Sequence, residues 1–196
     1  MAVSDFQYPR TRRWTRAEYD RLVELGVFRP GERIELLDGQ LVVREPQSSG
    51  HTGGIRRVVE TLRRALDPAV WQVDSQFPFA LDDDSEPEPD VAVVPYDAEH
   101  YRHAHPSRAV LLVEVSGSSY RIDRRFKASL YARAGVPEYW IVALTRGTLE
   151  VHRAPAASGE AAYGWRYGSV EVLTRAATVS PLFAPAVGIA VTDLIP

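Results

Sequence analysis

The 196 residues are enough for one domain with a sizeable core, and 45% hydrophobic with 25% charged residues is the balance of a globular chain. The absence of cysteine excludes disulfides and thiolate zinc sites. No apolar run is long enough to span a membrane, and the polar, basic start from Met1 to Arg16 has no signal-peptide core, so a cytoplasmic location is expected. A net charge of −3 is not the footprint of a protein that coats nucleic acid, although arginines cluster at Arg10, Arg12, Arg13 and Arg16 and again at Arg121, Arg124 and Arg125.

Thr15 and Glu18 predict a capping box for a helix that runs to Gly26, with Trp14 and Tyr19 as its hydrophobic staple. Ile34 to Leu37 and Gln40 to Val43 predict a hairpin, because Asp38-Gly39 suits a two-residue turn with two positive φ angles. His51 to Leu66 carries Ile55, Val58, Val59, Leu62 and Leu66 on one helical face, and Asp67-Pro68 stops it. Short strands are predicted at Val70 to Val73, at the alternating Phe77, Phe79 and Leu81, and at Val91 to Val94. Between the last two lies the acidic loop Asp82 to Pro89. The apolar run Ala109 to Val115 predicts a central strand covered on both faces.

Ser118 or Ser119 can cap a helix over Tyr120 to Ala134, with Ile122, Phe126, Leu130 and Ala134 as its core stripe and Gly135 and Pro137 at its end. Tyr139 to Leu144 is a second buried strand, so strand, helix and strand suggest a parallel crossover, with Thr148 to His152 beside it. Pro155 to Gly159 reads as a flexible stretch, and Trp165 to Tyr167 with Val170 to Leu173 as a hairpin around Gly168-Ser169. The tail from Thr178 is expected to pack back on the domain. The whole is one α/β domain over 1–196, an α+β mixed sheet flanked by helices, with a core at about 15–153 and a C-terminal appendage at about 160–196.

Three residues fit the chemistry of a metal-dependent phosphodiesterase. Asp90 opens a short strand, Glu114 interrupts an apolar strand, and Lys127 lies on the helix that follows. Oxygen ligands of this kind suit Mg²⁺ or Mn²⁺. A buried carboxylate such as Glu114 needs a metal or a cation beside it. Lys127 is the only lysine among 23 basic residues, and a compact ammonium can orient or help deprotonate an attacking water as a guanidinium cannot. The plainer alternatives are an acidic loop end for Asp90, a structural ion pair for Glu114, and an ordinary surface pair of Lys127 with Asp123 four residues earlier. Glu35 and His51 are supporting candidates, as a further acid and a phosphate- or water-facing imidazole; their alternatives are a strand-edge salt bridge and a surface residue at a helix start. His100, His103 and His105 read as a solvated loop.

The chain resembles the Uma-type restriction endonucleases, a bacterial branch of the PD-(D/E)XK phosphodiesterase superfamily. The matching pieces are Arg33-Ile34-Glu35-Leu36-Leu37-Asp38-Gly39, His51, Glu88-Pro89-Asp90-Val91-Ala92 and Leu112-Val113-Glu114-Val115-Ser116. After them come Asp123, Lys127, Tyr131 and the run from Gly135 to Val142. The resemblance implies a restriction-endonuclease-like fold, Asp90 and Glu114 as Mg²⁺ ligands with the Val115 carbonyl as a third, and Lys127 as the catalytic lysine. The superfamily's lysine stands two residues after the glutamate, where this chain has Ser116, so the helix must point Lys127 back at the strand end.

The function implied is a Mg²⁺-dependent endonuclease acting on DNA. The alternatives are a non-catalytic binding or assembly module of the same fold and an enzyme acting on a small phosphate ester. A homodimer is expected for cutting two strands, with its interface beyond Trp165. Without metal, Asp90 and Glu114 are expected to repel, raising at least one pKa, so that Asp90→Asn would raise the melting temperature.

Overall fold

The computed structural model describes residues 11–44, 46–97 and 104–196. Helix α1 (Arg16–Glu24) starts at the predicted capping box: the Thr15 hydroxyl accepts from the Glu18 N–H, and the Glu18 carboxylate accepts from the Thr15 N–H. Strands β1 (Ile34–Leu37) and β2 (Gln40–Val43) form a separate hairpin. It turns at Asp38 and Gly39, whose φ angles of 48° and 73° are both positive. Helix α2 (Ser49–Ala65) begins before His51 because the Ser48 hydroxyl caps it, accepting from the His51 N–H.

Six strands then make one mixed sheet, in the order β3 (Trp71–Asp74), β4 (Val91–Pro95), β5 (Leu111–Ser116), β6 (Glu138–Ala143), β7 (Thr148–Ala157) and β8 (Trp165–Thr174). Only β5 and β6 are parallel, and the predicted helical crossover joins them. Alternation along β5 divides the core. Leu111, Val113 and Val115 pack toward Ile55, Val58 and Leu62 of α2. Leu112 packs toward Leu130 and Tyr131 on the other face, which Glu114 and Ser116 therefore share. Helix α2 comes so close to β5 that a Cβ at Gly54 would lie 2.7 Å from Val115 Cγ1, so only glycine fits there.

The crossover is not one regular helix. It runs as α3 (Tyr120–Ile122), a π-helical turn (Asp123–Lys127) and α4 (Ala128–Arg133). The expected stripe is wrong in its first half: Ile122 and Phe126 are 50% and 39% exposed, while Asp123 and Lys127 are buried at 3% and 5%. Ala134 is also exposed. The extra residue of the π turn rotates the helix, and the two buried charges meet polar partners on β5 that offset their desolvation.

Two further expectations fail for backbone reasons. Phe77 to Leu81 forms no strand; Phe79 bonds to the Pro87 carbonyl and Ala80 to that of Pro106, and Pro78, Pro87 and Pro89 have no N–H to build a ladder. Gly168-Ser169 is not a turn. Strand β8 runs straight through it, paired with β7 as far as Ala157, so Pro155 to Ala157 is strand as well. Gly168 instead faces Ala154, whose φ is +58°; a Cβ on Gly168 would sit 3.1 Å from the Ala154 carbonyl oxygen.

The tail does pack back. Its strands β9 (Thr178–Val179) and β10 (Ile189–Ala190) pair, and Val179, Ile189, Val191, Leu194 and Ile195 join the core under α2. Among the described residues, no helix is long and apolar enough to cross a membrane.

Candidate active site

Strand β4 stops pairing with β5 at Val91 and Val113, which leaves the end of β5 open on that edge. Asp90, the residue before β4, closes it: its Oδ2 accepts from the Val115 N–H at 2.9 Å. In an extended strand a residue's N–H and C=O project from the same edge, so the Val115 carbonyl faces Asp90 as well. Glu114, one residue back, turns to the crossover helix.

There the π turn delivers Lys127. Its Nζ donates to Glu114 Oε1 at 2.9 Å and to Glu35 Oε1 at 3.4 Å, and the Tyr131 hydroxyl donates to the same Glu114 oxygen at 2.8 Å. The surface pair of Lys127 with Asp123 does not form. Asp123 Oδ2 instead accepts from the Ser116 and Ser119 hydroxyls at 2.6 and 2.7 Å. Glu35 comes from β1 and also accepts from the Glu88 N–H at 2.9 Å. His51, in the first turn of α2, places Nε2 3.3 Å from Asp90 Oδ1.

All five predicted side chains, Asp90, Glu114, Lys127, Glu35 and His51, therefore line one cleft of about 180 Å³. Arg44 and Gln47, given no role in the sequence analysis, line the cleft as well, and Tyr131, also given none, bonds to Glu114. Arg44, just after β2, reaches Asp90 Oδ1 at 3.1 Å, Glu35 at 3.3 Å and the Glu88 carbonyl at 2.9 Å. Tyr131 anchors Glu114. Gln47 lines the cleft with its Nε2 buried and without a hydrogen-bond partner among the described residues. For Glu35 the ion-pair alternative holds, with Arg44 as its pairing arginine, and both residues line the cleft.

The electrostatics divide the two carboxylates. Burial pushes Glu114 up to about 8, against the pull of Lys127 and with the help of the Asp90 charge. Burial also opposes ionisation of Asp90, but the His51 hydrogen bond and the charges of His51, Lys127 and Arg44 outweigh it and hold Asp90 at about 2. Lys127 is shifted the other way from a typical buried lysine. Burial lowers it, but Glu114, Glu35 and Asp123 together hold it above its ordinary value, so it stays an ammonium. One carboxyl is raised, as expected from the sequence, but chiefly by burial. The expected repulsion at Asp90 is replaced by attraction.

The arginines at the start are largely engaged: Arg12 with Glu18, Arg13 with Asp38, Arg16 with Asp20 and the Asp82 carbonyl; Arg10 lies outside the described residues. His105 is exposed, and His100 and His103 lie outside the described residues. No group of three or more His, Asp or Glu among the described residues is arranged to hold a metal ion. The oxygen donors at the end of β5 are two carboxylates and a carbonyl. That set fits Mg²⁺, which keeps several waters and takes only one or two protein carboxylates.

Comparison with curated proteins found no match. Among solved structures, this fold is similar to a crystal structure described as a putative nuclease belonging to DUF820 from Anabaena variabilis. The TM-score is 0.63 at 16% identity, covering 87% of this chain and 94% of that one. At that identity the likeness is one of fold. The family model described as "Uma2: Putative restriction endonuclease" matches residues 16–192, and the chain belongs to that family.

Proposed function

We propose that the protein is a divalent-metal-dependent endonuclease that hydrolyses DNA phosphodiester bonds. The observation that supports this best is the convergence of Asp90, Glu114 and the lone lysine, Lys127, from three elements on one cleft. Asp90, Glu114 and the Val115 carbonyl would hold Mg²⁺, with Mn²⁺ as a substitute. The chemistry the bound ion supplies is polarisation of the phosphate and acidification of a water. Lys127, held as an ammonium, orients that water and stabilises the negative charge of the transition state; it is not the base. Tyr131 and Glu35 fix Lys127 and Glu114 in place, and His51 orients Asp90.

The protein's own cation competes for the same oxygens. Arg44 on Asp90 favours the alternative of a non-catalytic module, because Asp90 already has a positive partner. Metal binding separates the two readings. Below about pH 8 Glu114 carries a proton that Mn²⁺ must displace, so affinity is expected to rise about tenfold per pH unit from pH 6 and to level off near pH 8. The same raised value means that the contribution of Glu114 to metal-free stability is present below its ordinary value and lost as pH rises through about 8. Calorimetric titration with Mn²⁺ at several pH values, beside nicking of supercoiled plasmid, tests this. Absence of both binding and nicking would leave the module reading.

The nuclease reading also implies a two-fold dimer. Val172 near the end of β8 and Leu182 in the tail are 55% and 48% exposed and are suited to its interface. Light scattering at micromolar concentration should give about twice the 21.9 kDa chain mass; monomer alone would remove the dimer.

A further inference from the structure

One helix separates the cleft from a second concavity. Asp123 and Lys127 line the cleft, while Tyr120, Arg121, Arg124 and Arg125 turn to a trough of about 610 Å³ completed by the start of β8. Arg124 is engaged in the trough floor. Its Nε donates to Glu150 at 3.0 Å, and the same carboxylate takes the Tyr120 hydroxyl and His152 Nε2. Arg121, Arg125 and Arg166 are exposed and make no ion pair among the described residues. Glu160 is the carboxylate that also lines the trough, which leaves an excess of positive charge in a chain whose net charge is −3. Trp165 lines the same trough, 36% exposed, its carbonyl accepting from the Ser129 hydroxyl at 2.6 Å.

Arg125 lies over the Phe126 ring at 5.4 Å but, like Arg121 and Arg166, has no carboxylate partner among the described residues; guanidiniums without such partners beside an exposed indole are the pairing that a polynucleotide strand uses, phosphates on the cations and a base on the ring. A duplex keeps its bases stacked and cannot offer one to Trp165. We propose that this trough binds a single-stranded segment of the nucleic acid, with phosphates on Arg121, Arg125 and Arg166 and a base stacked on Trp165. The proposal rests on the nuclease reading of the adjacent cleft: a strand leaving that cleft over the crossover helix enters the trough.

Fluorescence anisotropy of metal-free protein with a labelled oligothymidylate of about twenty nucleotides, and with a duplex of equal length, tests it. The triple variant Arg121→Ala, Arg125→Ala, Arg166→Ala should bind the single strand at least about tenfold more weakly, with a salt slope shallower by about 2. Trp165→Ala should weaken single-strand binding at least about fivefold and leave duplex binding unchanged, whereas Trp165→Phe should retain most of the affinity. A control triple, Arg29→Ala, Arg56→Ala, Arg64→Ala, removes equal charge elsewhere and should stay within about twofold of wild type. Wild-type binding by the trough triple would overturn the trough, and indifference to Trp165→Ala would overturn the single-strand assignment. Hydrolysis of bis(p-nitrophenyl) phosphate in Mn²⁺ requires no flanking chain, so the trough variants should match wild type there. Failure of wild-type protein in that assay would count against the nuclease reading, while the binding comparison would still decide the trough.

Discussion

Asp90→Asn should lose at least about a hundredfold in plasmid nicking, about 2.7 kcal/mol of barrier, and should no longer be stabilised by Mn²⁺. The metal-free variant should also melt lower than wild type at neutral pH, the opposite of what two repelling carboxylates would give. Asp90 is held at about 2 by His51, Lys127 and Arg44, and it accepts the Val115 N–H. A carboxyl with a lowered value contributes stability above its ordinary pKa and loses it as pH falls through the folded one. The difference between variant and wild type should therefore be full at pH 7, on the order of 2 kcal/mol, and fade between about pH 4 and pH 2. Thermal melts at pH 7 and pH 3, with and without Mn²⁺, read all three effects. A higher melting temperature with the Mn²⁺ response intact would remove Asp90 from the site.

Lys127→Arg should lose at least about tenfold in nicking, about 1.4 kcal/mol of barrier. A surface lysine paired with Asp123 would tolerate the change without effect. Lys127 is instead enclosed, with Nζ between Glu114 and Glu35. The forked guanidinium is bulkier than the ammonium it replaces, so it displaces the water and also overpacks its surroundings, which should lower the melting temperature. Lys127→Met separates charge from volume. It leaves Glu114 and Glu35 without their ammonium, and Glu114 answers by holding its proton to higher pH. Its stability deficit should accordingly be larger at pH 9 than at pH 6. Nicking equal to wild type by the Arg variant would reduce Lys127 to a structural partner of Glu114.

The parts of the fold legible in the sequence are those that local chemistry decides. The Thr15–Glu18 box, the Asp38-Gly39 turn, the face of α2 and the β5–helix–β6 crossover each follow from residues close together in the chain. The candidate site residues stand out in the sequence for a different reason: Glu114 in an apolar strand and a single lysine are departures from pattern, and the structure places both at one cleft. What could not be read depends on distant partners. Periodicity put Ile122 and Phe126 inside because nothing local announces a π turn. The strand expected at Phe77 to Leu81 had the right alternation and the wrong backbone. Arg44 carries no signal of its own, since its role appears only once the β1–β2 hairpin lies against Asp90.

Ser116, two residues after Glu114 on β5, is not idle. Its hydroxyl holds Asp123, and that contact, with Ser119, docks the helix that carries Lys127. Ser116 thus anchors the segment that carries Lys127. A lysine at 116 would bury a second ammonium on the face of β5 that Lys127 already meets and would take away a hydroxyl that holds Asp123. Without the Ser116 hydroxyl, Asp123 keeps only that of Ser119 to offset its desolvation, so the placement of Lys127 depends on a hydroxyl bonded to Asp123 rather than to the lysine itself.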